Sequence, residues 1–452
     1  MQGETVVQMI ASDKLKVVVG IGATGLSVAR YLTAAGERFV MVDTRENPPG
    51  LAQLKQSFPD VAFETGGLTV ETLALADEVF VSPGIPLQHP VLQRVAKSGV
   101  SLTGDIALFA KAVKAPFVAI TGSNGKSTVT SLLGQMCKDA GKRVAVGGNL
   151  GTPALDLLDD DCELYVLELS SFQLESVSQL GATAAVVLNV SPDHMDRYDS
   201  ILQYHAAKHR IFAGVEQVVV NRDDPLSEPL VPDTVKRWSF GLGAPDFHAF
   251  GVREQDGEDW LAYQFDVLMP VSEVAMKGRH NLSNVLAALA LGSAIGLPRA
   301  SMLDTIRVFG GLPHRCQAVA EQAGVHYIND SKATNLGATQ AAVAGLANGC
   351  NLILIAGGQG KGQDFSPLGA CLKGKVRLAI LMGEAASQLA DAIDDAAEVV
   401  FATSMASAVS AAKKAACAGD IVLLSPACAS FDMFNGFEDR GNQFVTAVRA
   451  QV

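Results

Sequence analysis

The run Phe117-Val-Ala-Ile-Thr-Gly-Ser-Asn-Gly-Lys-Ser-Thr128 sets a lysine and two hydroxyls directly behind a glycine turn. The β-branched residues before the turn predict a buried strand. Those from Lys126 to about Ala140 predict a helix stopped by Gly141. A strand, turn and helix in that order aim backbone N–H groups and a helix N-terminus at one point, which suits a phosphate. Gly122 and Gly125 permit a tight wrap around Asn124, and Lys126 reaches terminal phosphates. The Ser127 hydroxyl is placed to ligate Mg²⁺, with Thr128 beside it. A nucleoside triphosphate is the natural ligand. The strict GxxxxGK[ST] pattern has glycine where Ile120 stands, so this loop is a variant.

Further along, Glu168 ends a predicted strand in the run LELSSFQLE, and a carboxylate at such a strand end can bind Mg²⁺ directly. The next strand delivers SPDHMDRY, with Asp193, His194 and Asp196 expected on the same sheet edge. Lys208, in YHAAKHRIF, falls on a predicted helix, where a lysine ordinarily serves only solubility.

A second glycine-rich turn, Gly20-Ile-Gly22-Ala-Thr-Gly25, follows the strand Val17–Val19, and Asp43 stands 43 − 20 = 23 positions beyond Gly20. That matches a dinucleotide fingerprint, so an NAD(P)-dependent dehydrogenase is the alternative function. Against it stand the independent triphosphate loop and the lack of an obvious pairing for hydride transfer in the later residues.

These candidate residues need parallel sheets to present them. Ten β-branched runs read as strands: Val17–Val19, Phe39–Val42, Val79–Val81, Phe117–Ile120, Tyr165–Leu167, Ala185–Leu188, Val218–Val220, Leu352–Ile355, Leu378–Leu381 and Ile421–Leu424. Most are followed by a glycine-containing turn and an Ala/Leu-rich amphipathic stretch, the pattern of α/β folds. Boundaries near Gly104 and at Gly310-Gly311 divide the 452 residues into three expected domains, 1–104, 105–311 and 312–452. Between Trp238 and Met269 the periodicity weakens, and a small antiparallel insertion is expected there.

A net charge of −12 argues against a general grip on nucleic acid. The start, MQGETVVQ, has no basic stretch followed by an apolar core, and the longest mostly apolar run, 285–297, is short of the ~18 residues a membrane span needs. A cytoplasmic protein without membrane partners is expected. Seven scattered cysteines, with no CxxC pair, read as reduced and mostly buried.

Five further motifs complete a pattern: GRHNLSN at 278–284, GLPHR at 311–315, INDSKATN at 328–335, GGQGKGQDF at 357–365 and SPACASFDMF at 425–434. With TGSNGKST, LELSSFQLE and DHMDRY, their order and spacing resemble the Mur ligases of bacterial peptidoglycan synthesis, from Val17 to the C-terminus. Ser123 departs from the threonine usual there. The resemblance implies a Rossmann-like N-terminal domain, a central phosphate-loop ATPase and a Rossmann-like C-terminal domain. It implies ATP-dependent addition of D-glutamate to UDP-N-acetylmuramoyl-L-alanine by a monomer, through an acyl phosphate, in cell-wall biogenesis. The diaminopimelate-adding members carry a DNPR motif that this chain lacks, consistent with a different acceptor.

Residue by residue, the resemblance implies that Lys126 and Ser127 serve the phosphates and a first Mg²⁺, Glu168 ligates that metal, and His194 serves a second. Lys208 is implied to be carbamylated, a carboxylate-like group that steadies Mg²⁺. Asn281 and Asn284 match positions near adenine and ribose, Arg315 a phosphate contact, and Asp330 and Lys332 nucleotide contacts from the C-terminal domain. The uridine diphosphate substrate is implied to meet Thr24, Asp43, Thr44, Arg45, Ser82, Gly84, Asn149, Gln173 and His194. D-glutamate is implied to meet Thr334, Lys361, Ser430 and Phe437.

Overall fold

The computed structural model describes residues 15–450 and contains three sheets, one after another along the chain. The first is formed by β1 (Lys16–Val19), β2 (Phe39–Asp43), β3 (Phe63–Thr65), β4 (Glu78–Val81) and β5 (Ser101–Thr103). These strands run parallel in the order β3-β2-β1-β4-β5. The second comprises β6 (Phe117–Thr121), β7 (Val144–Gly148), β8 (Leu164–Glu168), β9 (Ala184–Val187), β10 (Gln217–Asn221), β11 (Lys236–Phe240), β12 (Ala249–Gln255), β13 (Glu258–Tyr263) and β14 (Asp266–Pro270). Its order is β14-β13-β12-β11-β10-β9-β6-β8-β7. The third holds β15 (Gln317–Gln322), β16 (Val325–Asn329), β17 (Leu352–Gly357), β18 (Val376–Met382), β19 (Glu398–Phe401) and β20 (Ile421–Leu424), in the order β15-β16-β20-β17-β18-β19. Only β15 pairs antiparallel there.

Strands β6, β8 and β17 are buried along their whole length, so their sequences are continuous apolar runs rather than alternating ones. The helices Lys126–Asp139 and Arg279–Ala294 cover one face of the central sheet and bury Leu132, Leu133 and the stretch Val285–Leu291. That packing absorbs the longest apolar run of the sequence, and no helix among the described residues is long and apolar enough to cross a membrane.

The functional consequence of the topology lies at β6. Its neighbours are β8 on one side and β9 on the other, so the chain order reverses across it. The loops after β6, β8 and β9 open into one crevice, where parallel α/β sheets place ligands.

Three expectations need correction. The stretch from Trp238 to Met269 does hold antiparallel strands, but it is part of the central sheet. Trp238 lies in β11, parallel to β10, and β12, β13 and β14 extend the same sheet as an antiparallel meander. Strand β9 stops at Val187: Leu188 N still donates to Thr121 O, but the Leu188 carbonyl accepts from the Asn221 side chain. The cysteines are all free, but only Cys137 and Cys428 are buried; Cys350 and Cys417 are exposed.

Candidate active site

Gly125 sits at φ 84°, and a Cβ there would lie 2.3 Å from Asn284 Oδ1, so only glycine lets the loop rest on that asparagine. Asn189, two residues beyond β9, clamps the loop. Its Oδ1 accepts from Asn124 N at 2.8 Å and its Nδ2 donates to Asn124 O at 3.1 Å. Lys126 Nζ curls back to donate to Gly122 O (2.8 Å) and Ser123 O (2.9 Å). Lys208 Nζ reaches the same Gly122 oxygen at 2.8 Å and lies 4.4 Å from the Tyr204 ring centroid.

Lys208 is 1% exposed, which overturns its reading as a surface lysine. Burial, reinforced by the charge of Lys126, pushes its amine well below the ordinary lysine range. Lys126 is lowered too, first by burial, with Glu168 and Asp193 opposing the shift.

Glu168 faces these amines from the end of β8. Its Oε1 accepts from Asn149 Nδ2 at 2.8 Å, while Oε2 is buried with no hydrogen-bond partner among the described residues. His194 holds φ 57° in the turn after β9, and its ring packs edge-on against Phe172 at 4.8 Å. Burial lowers its pKa and Asp193 partly restores it.

The third sheet closes the crevice. Arg315 Nη2 donates to Ser127 Oγ at 2.7 Å across the boundary between central and C-terminal sheets. Asn335 caps the helix Leu336–Leu346, and its Nδ2 also donates to Asn124 Oδ1 (3.3 Å) and Asp193 Oδ2 (3.2 Å). Asp330 Oδ2 accepts from Ser425 Oγ at 2.9 Å, and burial lifts its carboxyl to about 6. Lys332 Nζ lies 3.9 Å from the Phe437 centroid and is lowered to about 8, first by burial and then by Arg315.

The enclosed space is a cavity of about 460 Å³ lined by Asn124, Gly125, Lys126, Ser127, Asn149, Glu168, His194, Lys208, Arg315, Lys332, Thr334, Lys361, Ser430 and Phe437. A neighbouring cavity of about 420 Å³ shares Asn124, Gly125, Arg315 and Lys332 and adds Thr128, Asn281, Asn284 and Asp330. A third, of about 510 Å³, is lined by Thr24, Thr44, Arg45, Ser82, Gly84, Asn149 and Gln173. Asn149 lines both the first and the third.

Asp43 and Gly122 line none of the three spaces. Asp43 is fully buried, with Oδ2 accepting from Ile21 N (2.7 Å) and Oδ1 from Arg45 N (2.9 Å), and it forks onto the Arg45 guanidinium. Gly122 contributes its carbonyl to the two lysines and points no group into the cavity.

Residues 14–104 match the Mur ligase MurD-like N-terminal domain, 120–292 the Mur ligase middle domain and 314–428 the Mur ligase glutamate ligase domain. A UDP-N-acetylmuramoylalanine–D-glutamate ligase of Pseudomonas fluorescens is 56% identical over 442 residues, covering 97% of this chain and 99% of the relative. The chain belongs to the Mur ligase family. The enzyme of the same name from Hahella chejuensis is 52% identical over 98% of this chain and 99% of its own.

The fold of this Mur ligase is also that of a pseudomurein peptide ligase type C from Methanothermus fervidus (TM-score 0.61, 17% identity, 97% of this chain and 100% of that one). A UDP-N-acetylmuramate-alanine ligase from Thermotoga maritima superposes at TM-score 0.58 with 16% identity, over 97% and 100% of the two chains. The dehydrogenase alternative finds no support among these relatives, and Asp43, the residue it would use for a ribose, already has both oxygens engaged.

Several residues of this Mur ligase's cavity escaped the sequence reading. Asn335 looked like the end of a motif, and its N-cap role hides its bridge to the phosphate loop. Tyr204 and Phe172 line the cavity, yet in sequence they are ordinary apolar positions on short helices. Tyr204 stands four residues before Lys208, the one spacing that could have pointed to it.

Proposed function

We propose that this Mur ligase joins D-glutamate to UDP-N-acetylmuramoyl-L-alanine at the expense of ATP, as a cytoplasmic monomer. The observation that carries the reading is the continuity of the three spaces. The cavity lined by Lys126, Glu168 and residues of the C-terminal domain shares Asn124, Gly125, Arg315 and Lys332 with the nucleotide-sized space beside the phosphate loop, and Asn149 with the space at the N-terminal glycine turn.

ATP lies with its adenosine toward Asn281, Asn284 and Asp330 and its phosphates on Lys126, Ser127, Thr128, Arg315 and Lys332. The uridine diphosphate end of the second substrate sits on the N-terminal glycine turn near Thr24, Thr44, Arg45, Ser82 and Gly84. Its muramoyl-alanine tail passes Gln173 and Asn149 to reach His194. An oxygen of its carboxylate attacks the γ-phosphorus, ADP leaves, and an acyl phosphate remains. Lys126 and Arg315 hold the charge that develops on the moving phosphoryl group. D-glutamate meets Thr334, Lys361, Ser430 and Phe437, and its neutral amine attacks the acyl carbon. The tetrahedral adduct expels phosphate and loses a proton, leaving the amide. Contacts from two domains on one nucleotide keep water from the acyl phosphate.

The donor set suits Mg²⁺, a hard cation. Glu168 has an unpartnered buried oxygen and Ser127 offers a hydroxyl, but no group of three His, Cys, Asp or Glu side chains that could hold a metal occurs among the described residues. A carbamate on Lys208 supplies the missing oxygens. CO₂ adds to a neutral amine, and the buried Lys208 amine is pushed toward that form. When bound, with His194 serving a second ion, Mg²⁺ neutralises phosphate charge and polarises the transferring group.

The test is phosphate release with UDP-N-acetylmuramoyl-L-alanine and a panel of amino acids in both enantiomers. Release with D-glutamate alone supports the reading. Release with an L-amino acid, or without any amino acid, contradicts it.

A further inference from the structure

Arg197 belongs to the DHMDRY run, yet none of the roles above uses it. Its guanidinium is nearly enclosed, with side-chain exposure of 11% against 9% for its partner Glu175. From that position it makes three contacts, two with the short helix Ser171–Leu174 and its C-cap Glu175 and one with the first domain. Nη2 donates to Glu175 Oε2 at 2.8 Å, Nη1 donates to Pro83 O at 3.2 Å, and the guanidinium carbon lies 4.5 Å from the Phe172 centroid.

Pro83 stands between Ser82 and Gly84 in the first domain, and all three line the space assigned to the uridine diphosphate. Phe172 packs on the His194 ring at 4.8 Å, and both line the reaction cavity. The backbone closes the same circuit, since Arg197 N donates to His194 O at 2.9 Å and so holds the turn that keeps His194 at φ 57°. Two ion pairs among the described residues span these domains, Arg30 with Asp156 and Lys111 with Glu78, and their cations are 41% and 66% exposed. Solvent weakens those pairs, whereas the Arg197 contacts are shielded.

We propose that Arg197 is a positioning residue that straps the N-terminal substrate loop to the wall of the reaction cavity, setting the span between nucleotide end and reacting carboxylate. It rests on the two-cavity reading given above. A substrate that must touch both domains binds only the fraction of molecules in which they are correctly apposed, so loosening the strap lowers its apparent affinity. ATP, held by the central and C-terminal domains, is spared. Guanidinium chemistry suits this task, because one planar group donates in two directions while stacking on a ring, which an ammonium cannot do.

The experiment compares Arg197→Lys with the unaltered protein by calorimetric titration of UDP-N-acetylmuramoyl-L-alanine and of an ATP analogue, and by KM for all three substrates. The expected result is a rise of about tenfold or more in Kd and KM for the UDP-substrate, with ATP and D-glutamate values within twofold. Unchanged UDP-substrate binding in folded Arg197→Lys, or an equal loss for all three substrates, overturns the proposal. Should Arg197→Lys fail to fold, Glu175→Gln carries the same test, since it keeps the shape and removes the charge that orients the guanidinium. It should shift the same constant alone, and no shift counts against the strap. If the unaltered protein itself does not bind the UDP-substrate, the two-cavity reading fails instead.

Discussion

Arg440 is 1% exposed and makes five hydrogen bonds, which tie three loops together. Nε and Nη2 donate to Ser331 Oγ (3.0 Å) and Ser331 O (2.8 Å), and Nη1 donates to Cys428 O (3.0 Å), with longer contacts to Ala429 O (3.3 Å) and Gly357 O (3.4 Å). Those loops carry Lys332, Thr334, Lys361 and Ser430. Burial lowers its pKa to about 10, so it remains charged near neutral pH. In Arg440→Met the stem keeps its packing, but the Ser331 and Cys428 carbonyls lose their donor inside the protein. At about 1–3 kcal/mol for each buried unsatisfied carbonyl, the C-terminal domain should lose about 4 kcal/mol. Exchange of the amides of β17 and β20, which open with that domain, should then speed up about 10³-fold, read by mass spectrometry after hydrogen exchange. KM for D-glutamate should rise more than that for the UDP-substrate. Exchange within about threefold of the unaltered protein would refute the claim that Arg440 holds these loops.

Four further outcomes concern single side chains, three in the site and one in the protein interior. Lys126→Ala should lower kcat by about 10² or more while calorimetric binding of the UDP-substrate persists, because the ammonium acts on the transferred phosphoryl group; near-normal turnover would remove Lys126 from that role. Lys208→Ala should be inactive and partly recover in acetate, and a fully active variant would discard the carbamate. Lys361→Ala should raise KM for D-glutamate far more than for ATP, whereas an effect on ATP alone would move Lys361 to the nucleotide. Asp105 is lifted by burial from 3.8 to about 6, so the folded chain binds its proton more tightly than the unfolded one. Stability contributed there is present below about pH 4 and falls by about 3 kcal/mol as pH rises to about 6. Asp105→Asn should therefore unfold with a flatter pH dependence between 4 and 6 in thermal scans, and an unchanged slope would contradict the assignment.

The buried parallel strands were legible because burial on both faces leaves continuous apolar runs, as in β6 and β17. Edge strands were not: β3 is exposed at every residue, so no apolar signal marks it. The meander β12–β14 was recognised as strand-like, but its continuity with the central sheet depends on pairing between β11 and β12, which no local pattern records. At the site, glycine turns and motif spacing exposed the phosphate loop, Glu168 and His194, since those signals are local. Burial of Lys208 is not local, and its helical context reads as an ordinary surface lysine. Arg440 and Asn335 act across more than a hundred residues of sequence, to loops that only the tertiary fold brings near.

The central claim is that a substrate carboxylate is phosphorylated before the amide forms, and oxygen labelling tests it most directly. UDP-N-acetylmuramoyl-L-alanine carrying ¹⁸O in the alanyl carboxylate is turned over with ATP and D-glutamate, and the released phosphate is weighed by mass spectrometry. Transfer of one labelled oxygen from each carboxylate into phosphate is the predicted result, because the oxygen that attacks the γ-phosphorus leaves with it. Unlabelled phosphate alongside product formation would contradict the acyl phosphate and the account built on it.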